Sequence, residues 1–117
     1  MSVPDLASDL QREHLRRKYF IDLEIIEQTR SVIKARLVIS SDLFVQVYRN
    51  DRFQTSNYAL INNGNRVFAR DELDGRWHRH IHTAPEEHDF SVQGQKPVSL
   101  SEFLDEVEKI MAELDLP

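Results

Sequence analysis

Residues 33–48 read IKARLVISSDLFVQVY, and this stretch decides the fold. Ile33, Ala35, Leu37 and Ile39 alternate with Lys34 and Arg36; Leu43, Val45 and Val47 are interleaved with Phe44, Gln46 and Tyr48. Side chains along a strand point to opposite faces in turn, so apolar groups at every second position mean a strand with one face inward and one face wet. Ser40-Ser41-Asp42 is a polar break of hairpin length between the two runs. The stretch predicts an antiparallel pair.

Working outward, the same period of two is present in Ile21, Leu23 and Ile25, alternating with Asp22 and Glu24. Downstream, residues 49–52 (RNDR) form a turn, residues 53–61 a fourth strand and residues 66–71 a fifth. Asn63-Gly64 and Asp74-Gly75 are the strongest hairpin signals in the chain, the second leading into a sixth strand over residues 76–83. Pro85 ends that strand, and residues 90–92 suggest a short edge strand.

Both ends of the chain read as helices. Pro4 and Asp5 favour a helix start, followed by a thin stripe of Leu6, Leu10, Leu15 and Tyr19. Arg12, Arg16, Arg17 and Lys18 crowd its second half, as a solvated face or as a phosphate- or partner-binding one. Ser99 and Glu102 have capping-box spacing. Leu100, Phe103, Leu104, Val107, Ile110, Met111 and Leu114 then form a wide apolar stripe that must cover a sheet face. Helix, five to six consecutive strands, helix is an α+β order: an antiparallel meander with helices on one face.

The 117 residues suit a single domain over residues 1–117. With 40% hydrophobic and 30% charged residues, the chain is too apolar for a disordered one. It has no cysteine, which excludes disulfides, thiolate–zinc sites and cysteine nucleophiles. The first residues lack the apolar core of a signal peptide, and no apolar run approaches the roughly 20 residues of a membrane span. The expectation is a cytoplasmic protein without membrane contact. The net charge is −5, but residues 99–117 carry six acids against Lys109 and leave the first 98 residues neutral. A basic or histidine-rich surface is therefore compatible with the acidic total.

Such a surface is concentrated in residues 67–90, VFARDELDGRWHRHIHTAPEEHDF, which hold four of the five histidines, the only tryptophan, and Arg70, Asp71, Arg76 and Arg79. His78, His80 and His82 alternate with Trp77, Arg79 and Ile81, so they share one face of the expected strand. With Trp77 and Ile81 in the core, the histidines are expected on the exposed face. Three readings suit this segment. A metal site is limited by length: the Cα atoms of His78 and His82 lie about 13 Å apart on an extended strand, so an ion would take two neighbours plus His88, Asp71 or another outside residue. RNA cleavage without a metal or other cofactor needs a base, an acid and a cation, which histidines and Arg70 or Arg79 can supply. A structural histidine-rich strand, or one that docks a partner, does no chemistry. Tyr48, Phe53, Tyr58 and Phe68 read mainly as core or cross-strand pairs, with base stacking as the minor alternative.

The order of these segments resembles a family. An N-terminal helix, the paired strands of residues 35–47, a strand containing Tyr58, the run Val67-Phe68-Ala69-Arg70-Asp71, the histidine-rich segment and an acidic helix from Ser99–Glu102 resemble the TumE-type toxins of bacterial and archaeal toxin–antitoxin pairs. The likeness covers roughly residues 20–114. It implies growth-inhibiting activity, with RNA as a target, neutralised by a helix-turn-helix antitoxin. Arg70, Asp71, His80 and His82 align with the family's Arg-x-Asp step and its His-x-His end, although Arg70 and Asp71 are adjacent here.

The leading expectation is thus a toxin component acting on RNA, with His80 and His82 (and their neighbour His78) moving protons, Arg70 and Arg79 holding phosphate, and Asp71 orienting a histidine or an arginine. No residue is assigned to a metal, and homodimerisation stays open. The competing reading is a non-enzymatic protein-interaction module.

Overall fold

In the computed structural model, which describes residues 2–117, the two glycine-containing turns form as their chemistry demands. Asn63 and Gly64 take φ of 52° and 78°, and Asp74 and Gly75 take 52° and 81°. Positive φ at both central residues gives the two-residue turn whose twist matches that of paired strands. Each closes a hairpin.

Among the described residues the strands are β1 Asp22–Gln28, β2 Val32–Ser40, β3 Leu43–Asn50, β4 Thr55–Asn62, β5 Asn65–Leu73 and β6 Arg76–His80. They form one sheet in chain order, antiparallel throughout. Helix α1, Val3–Arg16, precedes the sheet and α2, Leu100–Glu113, follows it. The expected α+β meander is what the chain forms.

One sheet face is dry. Ile33, Ala35 and Leu37 of β2, Leu43, Val45 and Val47 of β3, Tyr58 and Leu60 of β4, Phe68 of β5 and Trp77 of β6 are buried against both helices. From α1 come Val3, Leu6 and Leu10; from α2 come Leu100, Phe103, Leu104, Val107, Ile110 and Met111. The Phe103 ring centre lies 5.6 Å from those of both Tyr58 and Phe68, the spacing of favourable aromatic packing. Ser99 and Glu102 make the expected reciprocal capping bonds.

The basic run of the first helix does not face solvent as a unit. Arg17 is buried and bonds Glu13 at 2.8 Å, Asp105 at 3.0 Å, Glu108 and the Ser101 carbonyl at 3.1 Å. It is a strut joining α1 to the acidic face of α2. Burial pushes the Glu13 carboxyl up, but hydrogen bonds from Arg17 and Arg16 outweigh it and leave the group below its usual value.

Some local expectations change. β1 is more exposed than expected: Ile21 and Ile25 are 70% and 45% exposed at the sheet edge, and of the alternating three only Leu23 packs against the core. β4 starts at Thr55 and leaves Phe53 exposed. No strand forms over residues 90–92; only the Arg79–Asp89 bridge reaches β6, and Phe90 and Val92 are exposed. β6 ends at His80, so Ile81 and His82 lie beyond the strand.

Candidate functional site

The second sheet face carries the site, and strand register assembles it. Lys34 pairs with Tyr48, Tyr48 with Asn57, Asn57 with Asp71 and Asp71 with His78. A parallel row runs Arg36, Gln46, Ala59, Ala69, His80. Paired residues point to the same side, so both rows lie opposite the helices. Over β2 to β4 this face is partly open to solvent, with Lys34, Arg36, Phe44, Gln46, Tyr48 and Asn57 half-buried. The Arg36 guanidinium sits 4.7 Å from the centre of the Phe44 ring.

At the β5–β6 end the face is closed. The segment after β6 wraps round the sheet edge, with Asp89 pairing to Arg79 through backbone and side chain, and Gln93 reaching the helix side to accept from Arg70. On the way it lays Pro85, His88 and Phe90 against the histidines. Ring centres are 4.7 Å apart for His80–His88, 4.9 Å for His78–His88 and 5.2 Å for His78–Phe90. His78 and His80 are each only 2% exposed, whereas His88 is exposed. The expected exposed histidine strand is therefore corrected: His78 and His80 share the expected face but are covered by Pro85, His88 and Phe90, and His82 lies beyond the strand, against α2.

Hydrogen bonding fixes the protonation pattern. His80 Nδ1 is 2.9 Å from the Pro85 carbonyl, which can only accept, so Nδ1 carries the proton and Nε2 keeps its lone pair. That Nε2 lies 3.5 Å from Asp71 Oδ2, and His78 Nε2 lies 3.4 Å from the same oxygen. His78 Nε2 is buried and has no hydrogen-bond partner. Asp71 Oδ1 accepts from Asn57 Nδ2, and Asn57 Oδ1 accepts from Gln46 Nε2 at 3.1 Å. Burial holds both imidazoles below the usual histidine value; Asp71 opposes this, and for His80 the Arg66 charge adds to it. Both are neutral at neutral pH.

Of the residues singled out in the sequence, the fold brings Asp71, His78 and His80 together with His88. It puts Arg70, Arg79 and His82 elsewhere. Arg70, 3% exposed, is on the helix side, where its guanidinium is paired to Glu106. Arg79 also points away from the histidines and is paired to Asp89. His82 Nε2 lies 3.1 Å from Glu113 of α2, beside a cleft of about 320 Å³ that Arg79 also lines. Arg66, not singled out in the sequence, lies on the histidine side, donating to the Pro85 carbonyl at 2.9 Å. Nothing in its own neighbourhood marked it, because Pro85 is 19 residues away.

Compared with protein-family models, curated proteins and solved structures, the chain finds no significant match. Among the described residues, no helix is long and apolar enough to cross a membrane.

Proposed function

We propose that this protein is the toxin component of a toxin–antitoxin pair and acts on RNA, with single-stranded RNA lying on the open sheet face and the histidine cluster supplying the chemistry. The observation that carries the reading is the cross-strand row Lys34–Tyr48–Asn57–Asp71–His78. It joins a surface bearing cations and aromatic rings to a group of proton carriers. At about 4.8 Å per strand, the row is about 19 Å long, enough for a short run of nucleotides. Aromatic rings stack bases of any sequence and cations hold the backbone, which is how sheet faces take single strands.

Attack of a 2′-hydroxyl on the adjacent phosphate needs a base, an acid and a cation. The exposed His88, the free Nε2 of His80 and Arg66 supply these types on one side of the sheet. Asp71 orients the two buried rings. Arg70 and Arg79, engaged by Glu106 and Asp89 on the other side, have no part in it.

Incubation of purified protein with fluorescent single-stranded RNA tests this directly. Wild type should bind and cut it, His80→Ala should bind without cutting, and induced wild type should arrest growth until a helix-turn-helix antitoxin is co-expressed. Intact RNA with the wild type removes the enzymatic part. Absence of arrest removes the toxin.

A second reading, a non-enzymatic interaction module, draws on β1. Ile25 and Ile26 are 45% and 48% exposed on a strand at the edge of the sheet. An added strand from a partner protein or a second copy fits such an edge.

A further inference from the structure

We propose that His78, His80 and His88, together with Asp71, form a binding site for one divalent first-row transition metal ion, zinc fitting the donor set best. One ligand nitrogen from each of the three histidines falls within 4.8 Å of the others.

The distances are those of ligands rather than of hydrogen bonds. Asp71 Oδ2 stands 3.4 Å and 3.5 Å from the Nε2 atoms of His78 and His80. Good nitrogen–oxygen hydrogen bonds are about 2.7–3.2 Å long. In a tetrahedral zinc site with bonds of about 2.0–2.1 Å, neighbouring ligand atoms lie about 3.4 Å apart. The carboxylate already stands at that spacing from each of the two buried imidazoles. The histidine nitrogens need close by no more than about 1.4 Å, and the exposed ring of His88 is free to make that movement.

A second observation points the same way. His78 Nε2 is buried and has no hydrogen-bond partner, a costly state for a polar atom unless something else occupies its lone pair. The outer contacts are those of a metal site as well. His80 donates Nδ1–H to the Pro85 carbonyl, which fixes the tautomer with Nε2 free, and Asn57 holds the second oxygen of Asp71. Three imidazoles and one carboxylate suit zinc and its neighbours, whereas calcium and magnesium prefer oxygen ligands throughout. His82 is excluded by position, its ring lying against Glu113 of α2.

The ion would tie His88, from the segment that wraps the sheet edge, to β5 and β6. It would also take up the lone pairs that proton transfer requires, so occupancy and imidazole catalysis exclude each other at these rings. The proposal does not rest on the RNA reading. Metal binding is measured without RNA, and RNA binding to the open face is measured in chelator.

The test is calorimetric titration of chelator-stripped protein with Zn²⁺, alongside thermal unfolding and limited proteolysis of the segment after β6. Wild type should bind one ion per chain, melt at higher temperature with zinc and gain protection in that segment. Because His88 is exposed, His88→Ala leaves the fold in place, and it should weaken binding by more than 100-fold, as should Asp71→Asn. Asn57→Ala, which removes only an outer contact, should cost about 10–100-fold. His82→Ala should change nothing. No saturable binding by wild type overturns the proposal, as does binding undiminished in His88→Ala or lost in His82→Ala.

Discussion

Arg70 lays two arms of its guanidinium on Glu106, Nε at 3.0 Å from Oε1 and Nη2 at 2.7 Å from Oε2. Its remaining arm donates to the Gln93 carbonyl at 2.6 Å. One buried side chain thus joins β5, α2 and the segment after β6, and its chemistry is that of a strut. Arg70 is buried but Glu106 is 29% exposed, so removing the carboxylate costs less than breaking a fully buried pair. Glu106→Ala should lower the unfolding free energy by about 1–3 kcal/mol in urea titration, the cost of leaving a buried donor short of its partner. A change below about 0.5 kcal/mol, the size of an ordinary surface substitution, would show that the pair does not hold the fold together.

The wrapped segment is latched at Asp89, and that latch responds to acid. The Arg79 guanidinium, with help from Ser91, holds the Asp89 carboxyl down at about 2, against a usual 3.8. A depressed carboxyl stabilises the fold above its unfolded value and stops doing so as pH falls through its folded value. Protection of residues 81–95 from amide exchange should thus be the same at pH 7 and pH 5 and fall between about pH 4 and pH 2. Asp89→Asn should show the reduced protection at every pH. Carboxyl titration by NMR gives the direct check: a midpoint near 3.8 would mean that the latch does not form.

Much of the site was legible from one turn. Counting back from Asp74-Gly75 sets Asp71 opposite His78 and Arg70 opposite Arg79, which already separates the two arginines from the histidines. The composition of residues 67–90 alone groups them together, because composition carries no register. The β4–β5 register was harder, because a bulge between the Ile61–Arg66 and Leu60–Phe68 pairs shifts the pairing by one and brings Asn57 opposite Asp71 where the turn alone would bring Arg70. A bulge leaves little mark in sequence. Burial of His78 and His80 was hidden for a different reason. It depends on a loop without periodic pattern folding back over the strand, and pattern reading has no purchase on such a loop. The exposure of β1 has a similar origin: alternation in Ile21, Leu23 and Ile25 marks a strand but not whether a helix covers it.

Tyr48 and Phe44 separate the RNA reading from a purely structural one. Both are half-buried on the open face, so truncation removes little core. Each base stacked on an aromatic ring is worth about 1–3 kcal/mol. Tyr48→Ala should weaken binding of a short single-stranded RNA by about 5–150-fold in fluorescence anisotropy, with little change in stability. Lys34→Gln should also weaken it and flatten its dependence on salt. Equal affinity of wild type and both variants would move any RNA off this face.

Phe103 and Ile25 set the two extremes of packing against each other. Phe103 is 0% exposed, between Tyr58 and Phe68, and its replacement by alanine should cost about 3–5 kcal/mol. Ile25 is 45% exposed on the edge strand, and Ile25→Thr should stay within about 0.5 kcal/mol. Urea titration of both variants at two protein concentrations measures this. A small cost for Ile25→Thr at both concentrations means that the edge is bare in solution. A cost of several kcal/mol that grows with protein concentration means that a second copy covers β1, because only an association responds to concentration. The interaction reading would then gain a partner in the chain itself, at a surface separated from the histidines by the width of the sheet.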